Sequence, residues 1–180
     1  RNIARVHHRL HELPSNDIRD VLELGCGAGA VAADLAATYE MNVHGPDYDR
    51  KQIEIARAAQ PESEHLHYRV EDATRLTFQN ANFDLVISQN VFHHLADWKT
   101  VVQEVNRVLR PRGFFMWFDL VFPKSIARLF QPLLKNHSLY CFADVRSAFE
   151  RCGFRPLFHE KLVHGLFVHH HLVCQKSEEQ

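Results

Sequence analysis

Three glycines on alternate positions follow an apolar run that contains one acid, in the sequence Val21-Leu22-Glu23-Leu24-Gly25-Cys26-Gly27-Ala28-Gly29. The apolar run is typical of a buried strand, and the Ala/Leu-rich segment that follows, 30–39, is typical of a helix. Glycine lets the backbone turn sharply and approach a ligand closely, and a helix start offers free N–H groups. The segment therefore predicts a nucleotide-cofactor site on a strand-to-helix turn.

Two classes of cofactor are compatible with this loop. Gly25, Gly27 and Ala30 match the dinucleotide pattern G-x-G-x-x-G/A, and Asp47, about twenty residues later, could bind a ribose hydroxyl. The three alternate glycines, with Glu23 two residues before the first, also fit a second pattern, E-x-G-x-G-x-G. Glu23 favours the second pattern, because dinucleotide loops of this type usually carry an apolar residue at that position.

The composition indicates one globular domain. The chain has 180 residues, of which 46% are hydrophobic and 24% charged, and its formal net charge is −1. That length allows a proper core, and that charge gives no general attraction to nucleic acid. No apolar run in the sequence is long enough for a membrane span. Four scattered cysteines without a C-x-x-C spacing predict free thiols in a reducing compartment, and hence a cytoplasmic protein.

Strand and helix patterns alternate over the first two thirds of the chain, which predicts parallel strands joined by helical crossovers. The predicted strands are 18–24, 41–46, 65–70, 83–88 and 114–120, and the predicted helices are 30–39, 50–59 and 97–109. A turn at 111–113 is expected before the fifth strand. A further helix over 143–152 and two strand-like runs, 156–163 and 166–174, predict a final antiparallel hairpin. The expected fold is an α/β, Rossmann-like, doubly wound sheet of seven mostly parallel strands.

Residues 17 to 176 resemble the small-molecule class I S-adenosylmethionine (SAM) methyltransferases of the ubiquinone/menaquinone-methyltransferase type. The resemblance is carried by four motifs: the loop Glu23 to Gly29, Gly45-Pro46-Asp47 for the family's G-x-D, Glu71-Asp72-Ala73 for its G-D-A, and Phe83-Asp84-Leu85-Val86 with His93-His94-Leu95 for its F-D-L-V and H-H-L. Glu71 departs from the family glycine. The resemblance implies SAM as cofactor, S-adenosylhomocysteine (SAH) as product, and a small, apolar methyl acceptor.

The resemblance also implies roles for individual residues. The glycine loop would hold the methionine part of SAM, Asp47 both ribose hydroxyls and Asp72 the adenine amino group, while the Ala73 N–H faces a ring nitrogen. Backbone carbonyls near Ser88 and Gln89 would meet the cofactor ammonium group. The expected cofactor-binding residues are Glu23, Gly25, Cys26, Gly27, Gly29, Asp47, Tyr48, Asp72, Ala73, Ser88 and Gln89. From the residues alone, Asp47 could instead cap the next helix, although Asp49 is better placed, and Asp72 could be an ordinary loop acid.

Methyl transfer from a sulfonium is an in-line displacement, so an enzyme contributes mainly by holding the reactants in contact. A general base is needed only where the acceptor loses a proton. His93 and His94, just past the fourth strand, and Asp119, at the end of the fifth, are the candidate catalytic residues. The loop after the fourth strand carries neither the N/D-P-P-Y/F motif of amine methylation nor a Pro-Cys nucleophile. Oxygen, carbon and nitrogen acceptors remain open.

Three segments flank or follow this framework. Residues 1–16 are predicted to form a helical cap, and its shortness predicts either an open pocket or a truncated chain. Residues 120–142 are predicted to form a substrate lid, with Phe122, Tyr140 and Phe142 lining the pocket; the alternative is a helix packed on the core. Residues 177–180 are expected to be a mobile tail.

The run His169-His170-His171 lies in a predicted strand, where alternation sends the outer two side chains to one face and the middle one to the other. We expect partly exposed strand histidines rather than a metal site there.

Two other functions remain open. One is a nucleotide-dependent, NAD(P)-type oxidoreductase, although the chain leaves no room for the separate substrate domain of such enzymes. The other is a SAM-binding module without catalytic activity. A small-molecule substrate and no nucleic-acid partner are expected, and the oligomeric state is not predicted.

Overall fold

The computed structural model describes residues 2–15, 17–122, 139–164 and 167–178. The strands are β1 (Asp20–Leu24), β2 (Asn42–Asp47), β3 (Leu66–Val70), β4 (Phe83–Gln89), β5 (Leu109–Val121), β6 (Phe154–His164) and β7 (Phe167–Lys176). The helices are α1 (Asn2–His11), α2 (Ala30–Tyr39), α3 (Arg50–Ala59), α4 (Trp98–Val108) and α5 (Phe142–Arg151). One sheet contains all seven strands in the order β3-β2-β1-β4-β5-β7-β6.

Strands β1 to β5 are parallel, whereas β7 is antiparallel to both of its neighbours, β5 and β6. The predicted α/β fold with a carboxyl-terminal antiparallel hairpin is confirmed. Parallel strands need crossover helices, and these cover the sheet on both sides. Helices α1, α2 and α3 contribute to the core on one face, and α4 and α5 to the core on the other.

Helix boundaries follow local chemistry. Helix α2 begins directly after Gly29, which has the left-handed φ of 77°, a conformation that glycine adopts at no steric cost. Asp49 caps α3, as predicted, because its side chain accepts a hydrogen bond from the N–H of Lys51 at 2.9 Å. Asp97 lies just outside α4, not inside it as predicted, and caps that helix through the N–H of Thr100.

The expected turn at 111–113 is a bulge inside β5, and this prediction was wrong about where the strand begins. Leu109 pairs with Phe83 and Phe114 pairs with Leu85, so four residues of β5 lie opposite a single residue of β4. Arg112 takes the left-handed φ of 64° there. Proline and glycine therefore interrupt the ladder without ending the strand.

The amino-terminal helix α1 packs its buried residues Val6 and Leu10 against the sheet. Arg9, also buried, lies over the ring of Phe158 at 3.4 Å and donates to Glu160 at 2.8 Å. These contacts tie the predicted amino-terminal cap to the carboxyl-terminal hairpin.

Adjacent histidines of β7 project to opposite faces of the sheet, as alternation predicts. His170 stacks on Phe142 with ring centroids 4.1 Å apart, and His171 lies against Phe118 on the other face. Both are buried, which corrects the expectation of partial exposure for these two, whereas His169 is partly exposed as expected. The side chains of His170 and His171 are shielded from solvent because the hairpin lies between α1 and α5.

Some expectations concern residues outside the described ranges. These are most of the predicted lid (123–138), the hairpin turn at 165–166 and the end of the tail (179–180). Within the described ranges, no three His, Cys, Asp or Glu side chains are arranged to hold a metal ion. No helix in the same ranges has the length and apolar character needed to cross a membrane.

Candidate active site

A cavity of about 310 Å³ opens at the carboxyl ends of β1, β2 and β4, the edge at which open α/β sheets bind their ligands. It is lined by Leu24, Gly25, Pro46, Asp47, Tyr48, Glu71, Ala73, Leu76, Gln89, Asn90, Val91, His94 and Leu95. Five residues expected to bind the cofactor are among them: Gly25, Asp47, Tyr48, Ala73 and Gln89. The structure thus brings together residues from three of the four motifs around one space, and His94 adds the fourth.

The glycine loop has a backbone that side chains would obstruct. Gly25 and Gly29 both have positive φ, 65° and 77°. A Cβ at Gly25 would lie 2.5 Å from a methyl group of Val91, and one at Gly29 would collide with the ring and hydroxyl of Tyr68. The loop can therefore close tightly over β4 and β3 only with glycine at these two positions.

Asp47 is held in place by two backbone donors. One carboxylate oxygen accepts the N–H of Gly27 at 2.9 Å, and the other accepts the N–H of Asp49 at 2.9 Å. Each oxygen of a carboxylate can accept more than one hydrogen bond. Asp47 therefore links the glycine loop to the end of β2 and retains the capacity to bind two hydroxyls at the cavity.

Glu23 and Cys26 lie beneath the loop and do not line the cavity. Burial raises the pKa of Glu23 to about 8, opposed by a backbone hydrogen bond from Ala32 in the first turn of α2 and reinforced by the charge of Asp47. The second carboxylate oxygen of Glu23 has no hydrogen-bond partner among the described residues. The thiol of Cys26 donates to the carbonyl of Gly45 at 3.1 Å, and burial raises its pKa. Both side chains support the loop from within the protein.

The segment after β3 differs from the expectation in detail. Asp72 is exposed and does not line the cavity; one of its oxygens accepts both the N–H and the hydroxyl of Thr74, at 2.8 and 2.7 Å. Glu71 does line the cavity, and its carboxylate accepts the N–H and hydroxyl of Thr77. The backbone of Ala73 is at the cavity, as expected.

Ser88 is fully buried and lies outside the cavity lining, whereas Gln89 lines it. The hydroxyl of Ser88 and the amide oxygen of Gln89 are buried without hydrogen-bond partners in the described part of the chain. Buried polar atoms are normally satisfied. Because Gln89 lines the cavity, a polar ligand bound there could pair with its amide oxygen, whereas the hydroxyl of Ser88 lies outside that space.

The three candidate catalytic residues form one cluster. Nδ1 of His93 lies 2.5 Å from a carboxylate oxygen of Asp119, and the other oxygen accepts the N–H of Phe92 at 2.7 Å. The ring of His94 lies 3.9 Å from that of His93 and reaches the cavity. Because a carboxylate only accepts, His93 carries its proton on Nδ1, which leaves Nε2 as a proton acceptor. The cluster can remove a proton next to the cavity.

Seven lining residues were not among the expected cofactor-binding or catalytic residues: Leu24, Pro46, Glu71, Leu76, Asn90, Val91 and Leu95. Asn90 has a local sequence signal. It turns the chain out of β4 with a left-handed φ of 57°. Asparagine is enriched in that conformation. The apolar members show no sequence signal for a cavity, since each also fits a core position.

Comparison with known proteins agrees with this geometry. Residues 22–117 match the model of a family described as a methyltransferase domain, and the chain belongs to that family. It is 31% identical over 166 residues to an O-methyltransferase of Pyrenophora dematioidea, covering 87% of this chain and 61% of that protein. It is 29% identical over 149 residues to O-methyltransferase cnsE of Penicillium expansum, covering 76% and 52%. The chain thus spans about half to three fifths of the length of these relatives.

Solved structures show the same fold. Phosphoethanolamine N-methyltransferase 2 of Haemonchus contortus, solved in complex with SAM, superposes with a TM-score of 0.80 at 15% identity, covering 98% of this chain and 52% of that one. The seven-stranded, Rossmann-like architecture is therefore shared with methyltransferases.

Proposed function

We propose that this chain is the catalytic domain of a SAM-dependent methyltransferase that acts on a small, largely apolar molecule. The proposal rests on the cavity at the carboxyl ends of β1, β2 and β4, where the glycine loop and Asp47 meet. It is supported by the methyltransferase names of the relatives and by membership of the family.

The charge of the residues that line the cavity favours SAM over NAD(P) as the cofactor. Asp47 and Glu71 line it, and no Lys or Arg is among the described residues around it. NAD(P) would bring a pyrophosphate into this space, where the described lining offers two carboxylates and no cationic side chain to balance its charge. SAM instead brings a sulfonium and an ammonium group, which the same carboxylates attract. The cavity therefore suits SAM better than a dinucleotide.

The proposed roles follow the positions of the residues. Gly25, Gly27 and Gly29 shape the backbone that receives the methionine part, and Asp47 accepts from the ribose hydroxyls. Tyr48, which is 78% exposed at the rim, is placed to cover the adenine. Ala73 offers its N–H to the adenine ring. The carbonyls near Ser88 and Gln89 face the ammonium group, while Glu23 and Cys26 hold the loop in position.

Asp72 is proposed to accept from the adenine amino group through the carboxylate oxygen that Thr74 leaves free. Asp72 is exposed and lies in the chain between Glu71 and Ala73, which both line the cavity.

We further propose a hydroxyl group as the methyl acceptor. SAM supplies an activated methyl group. The acceptor oxygen forms the new bond to the methyl carbon as the carbon–sulfur bond breaks, leaving a thioether. The hydroxyl proton passes to Nε2 of His93, which Asp119 orients, and His94 lines the same space. A neutral amine can attack without first losing a proton and so would not need this pair, and several relatives are named O-methyltransferases.

The remaining assignments are also proposals. A cytoplasmic location fits the four cysteines, which are all free thiols. Residues 17–176 form the catalytic domain, with 1–16 as its cap and 177–180 as a tail. Residues 120–142 are the substrate lid, although its ends belong to β5 and α5. Of the three residues expected to line the pocket, Phe122, Tyr140 and Phe142, none lines the cavity, and Tyr140 is buried in the core. The partner is a small molecule rather than a nucleic acid.

Calorimetric titration of the purified chain with SAM, SAH and NADH tests the cofactor, with Asp47→Ala as the binding-site variant. We expect binding of SAM and SAH, lost in Asp47→Ala, and no binding of NADH. Binding of NADH alone would overturn the proposal in favour of an oxidoreductase. Binding of SAM without methyl transfer to any hydroxylated, amino or carbon acceptor in a broad screen would instead indicate a non-catalytic SAM-binding module.

A further inference from the structure

Tyr140 is a buried tyrosine near Asp119 of the proposed catalytic pair. It precedes α5 and is 2% exposed. Its ring packs between Trp98 and Trp117, with centroid distances of 5.2 and 6.2 Å. Trp117 and Asp119 are two residues apart in β5 and so point to the same face of the sheet. The ring of Tyr140 therefore packs on the face of the sheet that carries the side chain of Asp119.

The carboxylate of Asp119 is fully buried and has several donors. One oxygen accepts from Nδ1 of His93 at 2.5 Å and from the N–H of Leu120 at 2.6 Å. The other oxygen accepts from the N–H of Phe92 at 2.7 Å. That second oxygen can accept one more hydrogen bond.

The hydroxyl of Tyr140 needs a partner. It is buried and makes no hydrogen bond of standard geometry to any described residue. Burial raises the pKa of Tyr140, and the negative charge of the neighbouring Asp119 raises it further. The phenol therefore keeps its proton and is available as a donor. A buried donor beside a buried carboxylate is satisfied at low cost by donating to it, since leaving it unpaired is expensive.

We propose that Tyr140 is a positioning residue. Its hydroxyl donates a hydrogen bond to Asp119 and thereby weakens the electrostatic stabilisation that Asp119 gives to protonated His93. The structural part of this inference does not depend on the reaction; only its catalytic meaning rests on the proposed function.

The direction of the effect follows from charge. A phenol that donates to the carboxylate draws negative charge toward itself and away from His93. Because a nearby negative charge favours the imidazolium, the hydroxyl lowers the proton affinity of His93, and its removal raises it. His94 also contacts His93, but it is present in both proteins and cancels in the comparison.

The test is the pKa of His93 in the wild type and in Tyr140→Phe, measured by NMR titration of the imidazole signals. The signal is assigned by its disappearance in His93→Gln. Phenylalanine keeps the ring between the two tryptophans and removes only the hydroxyl. We expect the pKa of His93 to rise by about 0.5 to 1 unit, the equivalent of one ordinary hydrogen bond. The acidic limb of the kcat–pH profile should move by the same amount, with KM unchanged.

Phe149→Leu is the matched control, because the ring of Phe149 packs on Trp117 at 6.0 Å and carries no polar group. It should lower thermal stability while leaving the pKa of His93 unchanged. An unchanged or lower pKa of His93 in Tyr140→Phe would overturn the inference. Failure of the proposed function would show differently, as absence of SAM and SAH binding, with the NMR titration of His93 still measurable.

Discussion

Nδ1 of His93 is 2.5 Å from the carboxylate of Asp119, although 26 residues separate the two in the chain. The contact arises because β4 and β5 are parallel neighbours, so residues near their carboxyl ends converge at one edge of the sheet. The imidazole therefore has a fixed orientation beside the cavity that His94 lines.

His93→Gln is expected to reduce kcat by about 10²- to 10⁴-fold, the usual contribution of a positioned general base. The Kd for SAH should not change, because His93 does not line the cofactor cavity. Steady-state kinetics with an accepted hydroxyl substrate and calorimetry with SAH measure the two quantities. Asp119→Asn should also lower kcat, since the amide can present a donor to Nδ1 in place of an acceptor. Full activity of His93→Gln would show that the acceptor gives no proton to this pair.

Gly29→Ala is expected to lower the free energy of unfolding. An alanine in the left-handed conformation costs about 1–2 kcal/mol, and the loss should be larger because the new methyl group would also collide with Tyr68. Urea unfolding measures the loss. Gly27→Ala is the control, since Gly27 also has a positive φ of 54° but the nearest atom to its Cβ would be 3.9 Å away. Equal losses for the two variants would show that the contact with Tyr68 carries no cost.

Acid is expected to destabilise the fold through buried histidines of the hairpin. Burial, together with the positive charges of His159, Lys161 and His171, lowers the pKa of His170 to about 4. An unfolded histidine titrates near 6.5, so between about pH 6.5 and 4 the unfolded chain binds more protons than the native one. The free energy of unfolding is therefore complete above pH 6.5 and falls as the pH decreases through this window.

His170→Gln should reduce the slope of unfolding free energy against pH in that window by up to about 1.4 kcal/mol per pH unit. Urea denaturation at a series of pH values provides the slopes. His8→Gln is the control, because the side chain of His8 is 65% exposed. An identical slope for His170→Gln and wild type would mean that His170 is protonated in the native state.

Tyr48→Ala is expected to weaken SAH binding about tenfold, the loss of one stacking contact with the adenine. Tyr48 follows Asp47, lines the cavity and is 78% exposed, so its ring is free to cover a ligand. Calorimetry compares it with Ile55→Ala, another exposed apolar side chain, which lies on α3 outside the cavity. A similar Kd for both variants would remove Tyr48 from the site.

Elements with strong local signals were predictable from the sequence. Helix α2 spans the predicted residues 30–39, because Gly29 fixes its start and the following residues are strong helix formers. The cap at Asp49 was predictable for the same kind of reason. The start of β5 was not, because proline and glycine indicate a turn, and only pairing with β4 shows that they form a bulge.

The proposed cofactor residues have a clearer sequence signal than their neighbours. Asp47 sits at a strand end behind a glycine loop, a pattern visible in one short window. Contacts that depend on register between distant strands leave no such pattern. The pairing of His93 with Asp119 and the burial of Tyr140 belong to this second group.

Strand β5 has β4 on one side and β7 on the other, and eight residue pairs from Phe114 to Val121 join it to β7. During synthesis on the ribosome, β5 emerges about fifty residues before β7. Until β7 is made, the edge of β5 that β7 will cover has no hydrogen-bonding partner strand. Such an edge can recruit the same strand of another nascent chain. The last strand therefore serves as a safeguard against aggregation, and chains that stop short of it are expected in inclusion bodies rather than as inactive soluble protein.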